Sequence, residues 1–140
     1  ARSIALLSYR GGKAYDKTQA DTTTYDSPFQ HRVLSYQRYQ GEKLRRRFNA
    51  YSYYRLLQAY DSHNLGRDRG SVAETLRSIR AHTLVVSITS DLLFPPVDHQ
   101  VIIENIPNCQ YHVIGSDFGH DGFLVESEKL NNIIQDFLVD

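Results

Sequence analysis

Thr83-Leu84-Val85-Val86-Ser87-Ile88-Thr89-Ser90 runs straight into Asp91. The stretch is β-branched and almost continuously apolar, the pattern of a strand covered on both faces. Pro95 and Pro96 then open a helix that carries Val97, Val101 and Ile102 on its apolar side and runs through Ile106. A second short strand follows over residues 110–114, then a loop marked by Gly115, Gly119 and Gly122. In the last segment Leu130, Ile133, Ile134, Phe137 and Leu138 form one stripe of a helix. Strand, helix, strand, helix is the βαβ pattern of a parallel α/β sheet. Two parallel strands leave both edges bare, so further strands are expected from outside this segment.

Upstream the pattern changes to helices. Residues 1–9 carry Ile4, Leu6 and Leu7 and stop at Gly11 and Gly12, while the polar, Thr-rich residues 16–26 are expected to be a loop. Ser27 and Pro28 resemble an N-cap followed by proline at the first helical position, with Phe29, Val33 and Tyr36 facing inward and Gly41 bending or interrupting the helix. Asn49 can cap a second helix in which Tyr53, Leu56, Leu57 and Tyr60 share one face. Ser71 and Glu74 have capping-box spacing ahead of Val72, Leu76 and Ile79. The chain therefore divides into a helical segment, residues 1–80, and a βαβα segment, residues 81–140.

Charge divides at the same place. The 140 residues have net charge zero, but residues 1–80 sum to +8 and residues 81–140 to −8. Nine of the ten tyrosines lie in the first 60 residues. The two segments are expected to attract each other, or separate partners. Hydrophobic residues at 41% and charged residues at 23% exclude a disordered or low-complexity chain. No apolar run approaches the ~20 residues of a membrane span, and no targeting segment is visible. Cys109, the single cysteine, excludes an internal disulfide and suits a reducing, cytoplasmic location. It reads as a small apolar residue at a strand start rather than a nucleophile. Methionine is absent, so the chain is expected to be a piece of a longer protein.

Chemistry in open α/β sheets gathers at the carboxyl ends of strands. Asp91 follows the first strand and His120 the second, in the loop Gly115-Ser116-Asp117-Phe118-Gly119-His120-Asp121-Gly122. A carboxylate that fixes an imidazole tautomer, and an imidazole that takes a proton, are two members of a nucleophile–His–acid triad. Acid before histidine is the α/β-hydrolase order. A hydrogen bond of roughly 2.6–3.2 Å between them is expected. The G-x-S-x-G nucleophile elbow is absent. His112, Asp117, His120 and Asp121 match no standard metal spacing, so no metal is expected. Arg45-Arg46-Arg47 reads as a solvated helix face rather than a nucleic-acid site.

Four motifs in order carry a resemblance. Ala1-Arg2-Ser3-Ile4-Ala5-Leu6-Leu7-Ser8-Tyr9-Arg10, the stretch from Ser35-Tyr36 to Arg47-Phe48-Asn49-Ala50-Tyr51-Ser52-Tyr53, Ser90-Asp91-Leu92-Leu93-Phe94-Pro95-Pro96, and Gly119-His120-Asp121-Gly122-Phe123-Leu124-Val125-Glu126 resemble motifs of the homoserine O-acetyltransferase family. The resemblance implies the carboxyl-terminal part of an α/β-hydrolase fold with a helical lid, the amino-terminal half and the nucleophilic serine lying outside this chain. It implies Asp91 as triad acid, His120 as general base, Arg2 on the homoserine carboxylate and Asp121 on the homoserine amino group. It also implies acetyl-CoA (succinyl-CoA in some members) as acyl donor, no resident cofactor, a place in methionine biosynthesis, and pairing of lid helices as a homodimer over residues 27–62. Two alternatives stay open: an esterase or thioesterase fragment, which needs the same pair with water as acceptor, and a non-catalytic helical interaction module whose basic helices assemble with another chain.

Overall fold

The computed structural model describes residues 2–27 and 29–139. Five helices precede the sheet: α1 (Arg2–Tyr9), α2 (Gly12–Gln19), α3 (Arg32–Arg47), α4 (Ala50–Asp61) and α5 (Val72–Arg77). Strand β1 (Thr83–Ile88) leads through a 3-10 turn at Pro96–His99 into α6 (Gln100–Asn105), then β2 (Cys109–Ile114). A 3-10 turn at Gly119–Asp121, α7 (Gly122–Val125) and α8 (Ser127–Val139) complete the chain. The two strands are parallel, with Thr83 opposite Cys109 and Ile88 opposite Ile114. Ile88, Ile114, Ile106, Leu76, Leu6 and Ala14 are the buried apolar residues.

Local chemistry explains most element ends. Asn49 Oδ1 accepts the Ser52 amide at 2.8 Å and caps α4. Ser71 and Glu74 satisfy each other's backbone amides in a capping box that starts α5. Pro95 adopts φ −63° and Pro96 opens the 3-10 turn before α6.

Three expectations are corrected. Residues 16–19, expected to be loop, are helical as the end of α2: Ala14 is fully buried, and Lys13 and Lys17, one turn apart, both reach Asp117 at 3.3 and 2.9 Å. Tertiary contacts thus override weak helix propensity. Ser27 does not cap α3; its hydroxyl accepts the Phe29 amide, Phe29 is 69% exposed, and Pro28 lies outside the described residues. The α3 amino terminus is held instead by Asp21, whose carboxylate accepts the Arg32 amide at 2.9 Å and pairs with His31 at 2.7 Å. The Arg32 amide and then His31 hold the Asp21 carboxyl below the ordinary range. Gly41 does not break α3, which runs through it to Arg47. A side chain at Gly41 would lie 2.6 Å from Ser3 Oγ, so this glycine lets α1 approach α3, where Ser3 Oγ donates to the Gln37 carbonyl at 2.9 Å.

Arg45 and Arg46 pair with Glu42 along the exposed face of α3, and the Arg45 guanidinium, then Arg46, draws the Glu42 carboxyl down to about 2. On α4, Leu56, Leu57 and Tyr60 are exposed, and with Tyr53, Leu44 and Tyr9 they line an open cavity of about 570 Å³. Val97 in the 3-10 turn, Val101 on α6, and Ile134 and Leu138 on α8 also face outward. No helix among the described residues is long and apolar enough to cross a membrane.

Candidate active site

Asp91 sits at the first turn beyond β1 and is 7% exposed. Its Oδ1 accepts the amides of Leu93 and Phe94 at 2.8 and 3.0 Å, closing the turn that the following prolines continue. Its Oδ2 accepts from His120 Nδ1 at 2.8 Å, inside the range expected from the two strand ends. Burial alone would raise the Asp91 carboxyl; the Phe94 amide, His120 and the Leu93 amide together outweigh it and hold the group below its ordinary value. The residue is therefore ionised at neutral pH. A carboxylate can only accept, so Nδ1 carries the proton, and Nε2 of the neutral ring is left with its lone pair.

The loop bearing His120 is fixed from β1. Ser90 Oγ accepts the Gly119 amide at 2.9 Å and donates to the Ser116 carbonyl, and Thr89 Oγ1 accepts the Ser116 amide. Gly119 has φ +63°, and a side chain there would strike the backbone of Gly11 and Tyr9. The end of α1 is thereby packed against the imidazole loop, backbone to backbone. The ring of His120 lies 5.4 Å from Tyr9, 5.4 Å from Phe94 and 5.8 Å from Phe123. A cavity of about 210 Å³ opens beside Asp91, Phe94, His99, His120 and Phe123.

Asp121 follows His120, and its Oδ2 pairs with Arg10 Nε at 3.1 Å. Arg2 is not in direct contact with this group. Its guanidinium lies 4.7 Å from the Tyr9 ring, which also meets His120, and it borders a cavity of about 470 Å³ lined by residues of α3 and α4. Asp91 and His120 are thus in direct contact, Asp121 follows in the chain with its carboxylate on Arg10, and Arg2 and His120 both lie against Tyr9. Tyr9, Arg10, Phe94 and Phe123 are site residues that reasoning from the strand ends alone passes over. Tyr9 and Arg10 close the first motif, and Phe94 and Phe123 lie inside the third and fourth, so membership of those motifs was the signal for them. Among the described residues, no three His, Cys, Asp or Glu side chains converge as metal ligands.

Comparison with known proteins follows the same lines. A protein named homoserine O-acetyltransferase from Cyclobacterium marinum is 39% identical over 140 residues, spanning 100% of this chain and 39% of its own length. One of the same name from Clavibacter michiganensis subsp. michiganensis is 41% identical over 143 residues, spanning 96% of this chain and 37% of its own. The chain thus covers well under half the length of these curated relatives. The crystal structure of esterase E22 superposes with a TM-score of 0.77 at 18% identity, over 97% of this chain and 40% of that one. At that identity the likeness establishes the fold, part of an α/β hydrolase. No family model matches the chain.

Proposed function

Over its whole length the chain belongs to the homoserine O-acetyltransferase family, and from that premise we propose that it is the carboxyl-terminal part of an enzyme that moves an acetyl group from acetyl-CoA to the hydroxyl of L-homoserine. The observation that carries this reading is the 2.8 Å contact between Asp91 and His120 at the ends of two adjacent parallel strands. The nucleophilic serine belongs to the amino-terminal part of the same protein. The many exposed large apolar residues, Leu92, Leu124 and Val97 among them, support a covering part of that kind.

His120 Nε2 takes the proton of the serine hydroxyl as its oxygen attacks the thioester carbonyl. The tetrahedral adduct collapses, the carbon–sulfur bond breaks, and the imidazolium returns its proton to the departing CoA thiolate. His120 then takes the proton of the homoserine hydroxyl, whose oxygen attacks the acyl-serine ester. When the ester bond to serine breaks, the serine oxygen recovers the proton from the imidazolium. Asp91, ionised and anchored by two amides, holds the tautomer and stabilises each imidazolium. Arg2 and Asp121, one of each sign, suit the carboxylate and ammonium of an amino-acid acceptor.

An esterase or thioesterase would use the same pair with water as acceptor, and the two opposed charges favour the amino acid. We place the reaction in methionine biosynthesis in the cytoplasm, with no resident cofactor, and assign the lid helices over residues 27–62 to a homodimer interface. The test is release of the CoA thiol by the protein carrying its nucleophile-bearing part. Thiol release from acetyl-CoA that depends on L-homoserine and yields an equal amount of O-acyl product is expected. Equal release with or without L-homoserine would identify a hydrolase, and no release from any thioester would favour the interaction module.

A further inference from the structure

Arg10 has no role in the scheme above, yet it touches three parts of the site. Its Nε donates to Asp121 Oδ2 at 3.1 Å, and its guanidinium lies 5.3 Å from the ring of Tyr36 on α3. Its chain neighbours are Tyr9, whose ring meets His120, and Gly11, whose backbone lies against the Gly119 turn. The ion pair is largely shielded, with the Arg10 and Asp121 side chains 28% and 23% exposed. Among the described residues Asp121 Oδ1 accepts no hydrogen bond.

We propose that Arg10 is a positioning residue for the amino-acid acceptor, anchoring Asp121 through Oδ2 so that Oδ1 is presented to the acceptor's ammonium beside His120. The inference rests on the reading of Asp121 given above. An ionised carboxylate offers about four acceptor sites, so one oxygen can serve Arg10 while the other serves a ligand. The Arg10–Asp121 pair has no net charge, so its contribution is direction rather than field. Arginine suits this place: its guanidinium donates through Nε to Asp121 while its delocalised charge stays within cation–π range of Tyr36. A lysine ammonium is a point charge and cannot do both. Because Tyr36 belongs to the lid, the same side chain ties the acceptor carboxylate to α3.

The test is steady-state kinetics on the protein carrying its nucleophile-bearing part, with L-homoserine varied at saturating acetyl-CoA. Arg10→Gln is expected to raise acceptor KM about tenfold or more, with kcat changed far less, as for loss of a hydrogen bond to a charged group. Arg10→Lys is expected to recover only part of that loss and carries the test if the glutamine variant does not fold. Asp121→Asn is expected to raise acceptor KM about as much, and adding Arg10→Gln to it to change KM by no more than about twofold, since Arg10 acts through Asp121. A large effect of Asp121→Asn with none from either Arg10 variant would overturn this inference alone. So would full multiplication of the two effects in the double variant. An Asp121→Asn protein with unchanged acceptor KM would overturn the reading of Asp121, and the inference with it.

Discussion

Asp91 carries two separable duties. It closes the turn after β1 through Oδ1 and orients His120 through Oδ2. Asp91→Asn preserves the shape of the turn but lets the amide nitrogen face either a backbone amide or the imidazole, which favours the wrong tautomer. Turnover is expected to fall on the order of 10³- to 10⁴-fold, as measured by acetyl-CoA-dependent acylation of L-homoserine. The same carboxylate links stability to pH. Its folded-state value is depressed against the opposing pull of burial, by the Phe94 amide, His120 and the Leu93 amide. Its stabilising contribution is therefore present above the unfolded carboxylate value of about 4 and is lost as pH falls through the lower folded value. Melting temperatures measured from pH 6 down to pH 2 should fall more steeply for the parent protein than for Asp91→Asn. Parallel curves would contradict the depressed value.

At the scale of elements, the packing of α1 against the imidazole loop depends on Gly119. Its φ of +63° and the nearness of Gly11 N and the Tyr9 carbonyl leave no room for a side chain. Gly119→Ala is expected to cost about 2 kcal/mol or more, left-handed backbone and backbone clash combined. Gly115→Ala in the same loop, where nothing lies within 4 Å, is the control and should change stability by about 0.5 kcal/mol or less. Denaturant unfolding of the two variants compares them directly. Elements whose signals are local were legible in the sequence: β1 from its β-branched run, α4 from Asn49, α5 from Ser71 and Glu74, and the Asp91–His120 pair from two strand ends. Elements that depend on distant contacts were not. The cap of α3 comes from Asp21, ten residues before His31. The helix at 12–19 rests on Asp117, a hundred positions away in the chain. Arg10 became a site residue only through Asp121, 111 positions on. Periodicity and capping rules see a window of about a dozen residues, and these partners lie beyond it.

For the molecule as a whole, the division of charge in the sequence becomes contact. Arg10, Lys13 and Lys17 from the basic segment meet Asp121 and Asp117 from the acidic one, all at the imidazole loop. On α4 the helical segment presents Tyr51, Tyr60 and Leu56, which are 85%, 68% and 59% exposed. Tyrosine with nearby arginine is the composition of interface centres. A two-fold dimer through residues 27–62 is expected to bury on the order of 1,200–2,000 Å². Light scattering on the protein carrying its nucleophile-bearing part should give a dimer mass, and the Tyr53→Glu/Leu57→Glu variant a monomer mass. A monomer mass for the unmodified protein at micromolar concentration would contradict the pairing. The central claim, that His120 held by Asp91 moves the proton in acyl transfer, is tested most directly by His120→Ala in that same protein. The rate of O-acetylhomoserine formation should fall about a thousandfold or more with the circular dichroism spectrum unchanged; a well-folded variant that keeps its rate within about tenfold of the parent would contradict it.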